Sequence, residues 1–299
     1  MTKSFYAIVN GAAGSGRCRS RADQALAKLR EQGFELDVHV TGAPGHATGL
    51  AIDAYNEGHR EFLVVGGDGT SFEVLNGLFE SGTPADVKLA MLPLGTGNSF
   101  LRDFGIGDSE DAINAILGGE TRTIDVIRVE HSNGALHYMN TLGVGFVAKA
   151  GEPTNRRFKP LGPAGYVAAV VSSVVTLDYP VHEIRLDGSP EVDARPNALL
   201  SFSNSQYTGG AMKMAPTADV SDGKLDIVRV GKLSRADLLK TFPKIFAGRH
   251  TEHPDVDERK AVRVDFQNEH DEPVLIDGEL RHLCLRSLNV VPRCIEVYA

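Results

Sequence analysis

The sequence predicts an α/β plus all-β fold: a doubly wound α/β domain at residues 1–122, then a mostly antiparallel β-sandwich domain with inserted helices at residues 123–299. Up to about residue 120, apolar strand patterns alternate with helical patterns, which is typical of a parallel sheet. From residue 121 onward, turn residues separate short apolar runs, which indicates antiparallel strands. The length of 299 residues suits two domains, and the C-terminal segment is compatible with a return to the first domain.

Composition and charge exclude several classes of protein. The net charge of −8 argues against a general affinity for nucleic acid or for anionic membrane surfaces. The three cysteines, Cys18, Cys284 and Cys294, have neither disulfide-framework nor zinc-site spacing. No apolar run reaches the length of a transmembrane segment, and residues 1–9 resemble a first strand more than a signal peptide. We therefore expect a reduced, cytoplasmic protein, and a homodimer is compatible with the sequence.

Each predicted strand of the α/β domain ends in a polar turn. Helices are expected at about residues 20–32, up to about Asn56, and after Thr70. The predicted strands cover residues 5–9, 36–40, 62–65 and 88–92.

The turn after the third strand is the strongest functional candidate. It consists of Gly66, Gly67, Asp68, Gly69 and Thr70, whose glycines let the backbone bend closely around a bulky anion. Thr70 and Glu73 are predicted to form a capping box, so that the positive end of a helix faces the turn. This arrangement predicts a phosphate site. An ordinary βα turn is the alternative, but a carboxylate among the glycines would repel phosphate unless a metal ion lies between them.

Other polar residues follow strands at the same edge of the predicted sheet. Asn10 begins a glycine-containing loop with Arg17, which lacks the spacing of known phosphate-binding motifs, so a flexible turn is equally compatible. Thr41 follows the second strand, and Thr96 and Asn98 lie in the turn after the fourth. Open α/β sheets bind ligands at the carboxyl ends of their strands, so this edge is the expected site.

Two helices interrupt the predicted strands of the second domain. The helix at about residues 164–177 is apolar; core packing explains it most simply, and the wall of an apolar ligand pocket is the alternative. The helix at about residues 235–246 is amphipathic. The predicted strands cover residues 124–129, 136–141, 181–186, 198–203, 224–230, 261–266, 274–276 and 283–298.

Four motifs occur in a fixed order along the chain. They are GGDGT at residues 66–70 followed by EVLNG, PLGTGN at 93–98, DGKLD at 222–226 and DGE at 277–279. Together they resemble the diacylglycerol kinase catalytic-domain family of lipid kinases, which includes bacterial diacylglycerol kinases, sphingosine kinases and ceramide kinases. The resemblance covers nearly the whole chain. The first motif alone is less specific, since NAD kinases and phosphofructokinases carry similar turns.

The resemblance implies a kinase that passes the γ-phosphoryl group of ATP to the hydroxyl of a lipid substrate at a membrane surface. ATP would bind between the two domains, and Asp68 and Asp125 would act on its phosphates through Mg²⁺. Phosphoryl transfer depends mostly on positioning and charge neutralisation, which glycine amides and a metal carboxylate supply. The residues that the resemblance implies around the nucleotide are Asn10, Thr41, Gly66, Gly67, Asp68, Gly69, Thr70, Glu73, Thr96 and Asn98.

The turn that contains Asp277 and Glu279 is the candidate proton acceptor. A lipid hydroxyl needs a carboxylate within hydrogen-bond reach as its proton leaves. The resemblance points to Asp277, with Glu279 in support, although the sequence does not order the two. A surface hairpin would be the simpler explanation without the other motifs.

The segment around residues 219–224 is similar to the family's structural magnesium loop. The resemblance implies that Asp222 offers a side-chain oxygen, and that Asp219 and Lys224 offer backbone carbonyls, to a hard cation.

One residue departs from the family pattern. Ser99 occupies the position where bacterial diacylglycerol kinases usually carry an aspartate of the carboxylate network around Mg²⁺. Sphingosine kinases also lack that acid, so diacylglycerol is less firmly implied as the substrate. We expect Ser99→Asp to leave folding intact and to change the Mg²⁺ dependence.

Two other functions compete with a lipid kinase. An NAD kinase shares the glycine–aspartate turn but is disfavoured by the other motifs. A non-catalytic nucleotide- or lipid-binding protein is disfavoured because Asp68, Asp125 and Asp277 are all retained. A basic cluster is a candidate membrane contact, with a solvated loop as the alternative; it consists of Arg156, Arg157 and Lys159.

Overall fold

The computed structural model describes residues 3–13, 18–95, 97–146, 148, 177–267 and 269–299. The chain forms two compact units. The first comprises Met1–Val126 and Pro292–Ala299, and the second comprises Ile127–Val291. Thr96, Arg17, the basic cluster and nearly all of the predicted helix at residues 164–177 lie outside the described residues.

The first unit is built on a parallel sheet with the strand order β2-β1-β3-β4. The last residues of β17 add a further parallel strand beside β4, through Glu296 and Val297. The strand order reverses between β1 and β3, and such a switch point is where open α/β sheets form a ligand crevice. The strands are β1 (Ser4–Val9), β2 (Glu35–Val40), β3 (Glu61–Gly66), β4 (Lys88–Pro93) and β17 (Leu285–Tyr298).

Almost every residue of β1, β3 and β4 is buried, as a parallel sheet covered on both faces requires. The backbones of helices α2 and α3 are in close contact at Gly77. A Cβ atom at this position would lie only 2.4 Å from the Thr48 carbonyl oxygen. The side chain of Asp108 caps α4 by accepting from the N–H groups of Glu110 and Asp111. The helices of this unit are α1 (Cys18–Glu31), α2 (His46–Asn56), α3 (Asp68–Ser81) and α4 (Ser109–Gly118).

The predicted capping box at Thr70 and Glu73 is wrong. Helix α3 begins earlier, at Asp68, with Gly67 as its N-cap. Thr70 lies inside the helix and its hydroxyl accepts a hydrogen bond from Asn10. The Glu73 carboxylate instead accepts from the N–H groups of Gly45 and Ala47. Both side chains therefore bind partners distant in sequence, which a local capping pattern does not reveal.

The second unit is mostly antiparallel. Its main sheet has the strand order β13-β12-β9-β7-β15-β16. Strand β14 pairs with β8 and with the first part of β17, β5 pairs with β6, and β10 pairs with β11. The strands are β5 (Thr121–His131, which begins in the first unit), β6 (Gly134–Tyr138), β7 (Thr141–Gly145), β8 (Ile184–Leu186), β9 (Leu199–Ser203), β10 (Tyr207–Thr208), β11 (Met212–Lys213), β12 (Leu225–Val230), β13 (Val256–Ala261), β14 (Arg263–Phe266), β15 (Glu272–Ile276) and β16 (Glu279–Leu283).

The structure confirms the predicted fold class and corrects several predicted elements of the second unit. The single strand predicted at residues 136–141 is divided between β6 and β7, and the one at 261–266 between β13 and β14. The helix predicted at 235–246 is α-helical only as α5 (Arg235–Thr241) and continues as a 3₁₀ helix at Phe242–Ala247. Pro243, in the first turn of that 3₁₀ segment, has no N–H to extend the α-helical ladder. Within the described part of the chain, no helix has both the length and the apolarity needed to cross a bilayer.

Candidate active site

The glycine turns that follow β3 and β4 are in direct backbone contact. A Cβ at Gly95 would lie 2.5 Å from the Gly67 Cα atom, and one at Gly67 would lie 2.9 Å from the Gly97 carbonyl oxygen. The Gly66 carbonyl oxygen accepts from the N–H of Gly95 at 2.8 Å, and the Gly97 carbonyl oxygen accepts from Asp68 at 3.1 Å. These glycines are required because any side chain here would separate the two turns.

Asp68 is the first residue of α3 and the charged group of this turn. Its carboxylate accepts from the Ser99 N–H at 2.9 Å through Oδ2 and at 3.2 Å through Oδ1. Burial raises the pKa of Asp68 to about 6, although hydrogen bonds from the Ser99 hydroxyl and from the Ser99 and Phe100 N–H groups oppose the rise. Keeping this carboxylate ionised therefore costs free energy unless a cation lies beside it.

Asn98 completes the same turn and has a buried oxygen without a partner. Its Nδ2 atom donates to the Gly95 carbonyl oxygen at 2.8 Å, which holds the loop after β4 in place. Its Oδ1 atom is buried and has no hydrogen-bond partner among the described residues. A small cavity beside it is lined by Asp68 and Asn98 together with apolar side chains, among them Val64, Met91 and Phe100. The Asn98 oxygen without a partner and the Asp68 carboxylate, whose ionisation costs free energy, belong to residues that line the same cavity. A hard cation or a hydrogen-bond donor would stabilise both groups.

The ends of β1, β2 and β3 bring three more predicted residues to this edge of the sheet. Asn10 donates through Nδ2 to the Thr70 hydroxyl at 3.0 Å, and its N–H donates to the Val65 carbonyl oxygen at 2.9 Å. Thr41 directly follows β2, and its N–H donates to the Val9 carbonyl oxygen at 2.9 Å. These bonds tie the strand ends together at the switch point of the sheet.

The Glu73 carboxylate binds backbone N–H groups of the protein itself. Its Oε1 and Oε2 atoms lie 2.9 Å and 3.2 Å from the backbone nitrogens of Gly45 and Ala47. Both amides belong to the start of α2, where unpaired N–H groups attract a carboxylate. Glu73 thus fixes the loop that carries Thr41 to helix α3.

The second predicted cluster lies in the second unit, at the hairpin between β15 and β16. Asp277 and Gly278 have φ values of 45° and 85°, as in a two-residue type I′ turn. The Asp277 side chain is buried and accepts three consecutive backbone N–H groups: Met139 at 3.1 Å, Asn140 at 3.2 Å and Thr141 at 2.9 Å. Glu279, at the start of β16, is exposed. The three amides explain why β6 and β7 are separate strands.

A buried hydroxyl cluster beside this turn was missed by the sequence analysis. The hydroxyl oxygens of Thr141, Ser201 and Ser203 lie 3.0 Å from one another. Ser201 and Ser203 belong to β9, whose five residues are all buried. Serines at alternate positions of an apolar strand lie on one face, and that spacing is the signal that could have identified them.

Three of the aspartates predicted to hold metal accept hydrogen bonds from the protein's own donors. Asp125 is fully buried, and its Oδ1 atom accepts from the Arg293 N–H at 2.7 Å. The Asp219 side chain accepts from the N–H and hydroxyl of Ser221. The Asp222 side chain accepts from the Lys224 N–H at 2.9 Å. No group of three or more acidic, histidine or cysteine side chains suited to a metal ion occurs in the described part of the chain.

Comparison with known proteins decides the family. Residues 4–129 match the family described as the diacylglycerol kinase catalytic domain, and residues 140–299 match the YegS C-terminal NAD kinase beta sandwich-like domain. A diacylglycerol kinase of Mycobacterium tuberculosis (strain ATCC 25618 / H37Rv) is 32% identical over 295 residues, which are 97% of this chain and 93% of the relative. The chain belongs to the diacylglycerol kinase family. This confirms the resemblance drawn from the four motifs and makes the protein a kinase-family member.

A more distant relative and a solved structure are also similar to this chain. A diacylglycerol kinase of Staphylococcus aureus (strain MRSA252) is 27% identical over 301 residues, which are 100% of this chain and 93% of the relative. The crystal structure of a diacylglycerol kinase from Bacillus anthracis str. Sterne superposes with a TM-score of 0.71 at 24% identity, covering 99% of this chain and 96% of that one. The structural likeness supports the α/β and antiparallel β fold.

Proposed function

We propose that this protein is an ATP-dependent lipid kinase that transfers the γ-phosphoryl group to the hydroxyl of a membrane-derived alcohol of the diacylglycerol, sphingoid base or ceramide type. The observation that carries the proposal is the position of Asp68. It is the one charged residue among touching glycine turns, at the N-terminus of α3 and at the switch point of the sheet. Such a site attracts phosphate through backbone amides and attracts a divalent cation through the carboxylate.

The first unit binds the nucleotide in this proposal. The α3 N-terminus and the glycine amides face the phosphate chain, and Asn10, Thr41 and Thr70 surround it. Asp68 would hold Mg²⁺, with Asp125 in support, and the ion would supply charge neutralisation at the phosphates. The raised pKa of Asp68 and the unpaired Asn98 oxygen support a cation at this position. Glu73 contributes by fixing the loop from Thr41 to α2.

The second unit supplies the proton acceptor. Asp277 accepts the hydroxyl proton as the lipid oxygen forms its bond to the γ-phosphorus and the bond from phosphorus to the bridging oxygen of ADP breaks. The three amides from Met139 to Thr141 fix the direction of this carboxylate, and a positioned base typically contributes about 10²–10⁴-fold to rate. Glu279, exposed on the next strand, assists in this proposal. Because the acceptor resides in a bilayer, the protein acts peripherally at a membrane surface.

An NAD kinase is the second candidate. One observation favours it: the second half of the chain matches a domain described as NAD kinase beta sandwich-like. That match concerns the fold, and the relatives that align over the whole chain are named diacylglycerol kinases. We therefore retain it as an outcome of the test.

The test is a phosphorylation assay with purified protein, labelled ATP and Mg²⁺. Diacylglycerol, sphingosine and ceramide are offered separately in mixed micelles, and NAD is offered in a parallel reaction. We expect one phosphorylated lipid, which disappears in Asp68→Asn and Asp277→Asn. Asp86→Asn is the matched control, because Asp86 is exposed and paired only with Arg60 in the described structure. Phosphorylated NAD, or bound ATP without any product, overturns the proposal.

A further inference from the structure

The acidic loop is the segment before β12 that contains Asp219 and Asp222. A lysine of the neighbouring strand β13 binds to it. Lys260 on β13 lies opposite Asp226 in the β12–β13 ladder. Its Nζ atom lies 2.9 Å from the Thr217 carbonyl oxygen, 2.8 Å from Asp222 Oδ2 and 3.4 Å from Asp226 Oδ2. Lys260 donates hydrogen bonds to the first two oxygens, whereas Asp226 Oδ2 is in ion-pair contact with the ammonium without a hydrogen bond.

These oxygens are of the kind that a hard divalent cation selects. One carbonyl and two carboxylates form an oxygen-only environment typical of Mg²⁺ or Ca²⁺ sites. The resemblance to the family predicts a structural magnesium ion at this loop through Asp222. Both oxygens of Asp222 are already engaged, Oδ1 by the Lys224 N–H and Oδ2 by Lys260. A divalent ion here would lie beside an ammonium, so the residues present do not fit it.

The buried carboxylate of Asp226 explains why the loop needs a positive charge. Asp226 is fully buried, and its Oδ1 atom accepts from the Thr217 hydroxyl at 2.8 Å. Burial raises the pKa of Asp226, the Thr217 hydroxyl and Lys260 lower it, and Glu258 raises it. Burial of the Lys260 ammonium lowers its own pKa, but Asp222 and Asp226 outweigh that effect and the pKa is raised. Lys260 is the cationic side chain that lies against this buried carboxylate, opposite Asp226 in the β12–β13 ladder.

We propose that the Lys260 ammonium is the resident cation of this loop and takes the place of the structural magnesium ion implied by the family resemblance. The loop and the β12–β13 edge are then stable without a divalent metal. Magnesium is then needed for the phosphoryl transfer proposed above and not for the stability of the loop. The metal dependence of activity and the metal dependence of stability are therefore separate.

Thermal unfolding of the nucleotide-free protein tests this directly. The wild type, Lys260→Ala, Lys260→Arg and the exposed control Lys244→Ala are each melted in EDTA and in MgCl₂. We expect Lys260→Ala to lower Tm in EDTA by roughly 5 °C and MgCl₂ to restore most of the loss, because the vacated oxygens can then take the ion. Lys260→Arg and Lys244→Ala should behave as the wild type. An equal response of the wild type and Lys260→Ala to MgCl₂ overturns the proposal.

A second measurement holds even if Lys260→Ala fails to fold. Mn²⁺ binding to the wild type and to Asp222→Asn is followed by electron paramagnetic resonance of the free ion. Equal numbers of bound Mn²⁺ ions support the proposal, since Asp222 then binds none. The loss of one bound ion in Asp222→Asn shows that the loop holds a divalent metal and overturns it. Neither result depends on lipid kinase activity, so failure here is distinct from failure of the proposed function.

Discussion

Asp68 and Asp277 are both carboxylates in glycine-containing turns, yet the protein holds them differently. Asp68 accepts hydrogen bonds from the Ser99 N–H, the Ser99 hydroxyl and the Phe100 N–H, in a turn formed by touching glycines. Asp277 accepts from three consecutive N–H groups that lie 136–138 residues earlier in the chain. Asp277 therefore organises a long-range junction of its unit, whereas the fold around Asp68 does not need the charge. Substitutions at the two positions should separate these roles.

Replacing Asp277 should have the largest effect. Asp277→Ala leaves three buried amides without an acceptor, and we expect the free energy of unfolding to fall by about 3 kcal/mol or more. Asp277→Asn keeps one accepting oxygen, so it should fold while losing about 10²–10⁴-fold in kcat. Urea unfolding and initial rates of lipid phosphorylation measure both quantities. Full activity of Asp277→Asn would exclude this residue as the proton acceptor and would direct attention to Glu279→Gln.

Replacing Asp68 should remove activity without loss of the fold. In Asp68→Asn the amide oxygen can still accept from Ser99, but the charge that would hold Mg²⁺ is gone. We expect a loss of about 10²-fold or more in kcat/KM, since metal-centred charge stabilisation contributes several kcal/mol. Rates are measured over a range of MgCl₂ concentrations with Asp86→Asn as control. An unfolding midpoint well below that of the wild type would show that Asp68 is structural as well.

The raised pKa of Asp68 predicts a pH-dependent difference in stability. The pKa rises from an ordinary 3.8 to about 6, so the folded protein binds this proton more tightly than the unfolded chain. The resulting stabilisation is complete below pH 3.8 and is lost as the pH rises through 6. Relative to Asp68→Asn, the nucleotide-free wild type should lose at most about 2 kcal/mol between pH 4.5 and pH 7.5, and solvent screening of the carboxylate reduces this value. Urea unfolding of both proteins across this range checks it; a constant difference would contradict the shift.

Local sequence patterns predicted most of the first unit because each of its strands and turns is specified by residues adjacent in the sequence. Apolar runs such as residues 62–65 became buried strands, and each glycine-containing turn falls at a strand end, where the peptide geometry requires it. The four motifs identified the family from residue types alone. Periodicity and turn chemistry therefore suffice where each element is specified by its own residues.

Several errors arose where a side chain binds a distant partner; the helix predicted at 235–246 is an exception, because Pro243 limits its α-helical part locally. Thr70 and Glu73 have the spacing of a capping box, but Asn10 is 60 residues away from one and Gly45 is 28 residues away from the other. The strand predicted at residues 136–141 is interrupted because the backbone N–H groups of Met139 and Thr141 donate hydrogen bonds to the Asp277 carboxylate. The Lys260 contact with the acidic loop is also long-range, at 38 residues from Asp222. No local pattern contains these partners.

Ser99 offers the smallest and finest test of the comparison, because it touches Asp68 without carrying charge. Ser99→Ala removes the hydroxyl hydrogen bond but keeps the backbone N–H, so the pKa of Asp68 should rise further and stability should change by about 1 kcal/mol or less. The acid limb of the kcat/KM profile should then move to higher pH. An unmoved profile would show that Asp68 ionisation does not limit the reaction.

Ser99→Asp provides the matched opposite change and revises the expectation from sequence that folding stays intact. Ser99 is only 1% exposed, so the new carboxylate would be buried beside Asp68. Each of two adjacent buried carboxylates disfavours the ionised form of the other. This repulsion should destabilise the metal-free protein by roughly 1–3 kcal/mol at neutral pH. A cation between the two carboxylates removes that penalty, so MgCl₂ should raise the Tm of Ser99→Asp more than that of the wild type. Equal shifts would place the bound ion away from Asp68 and would leave the glycine turn as an amide site alone.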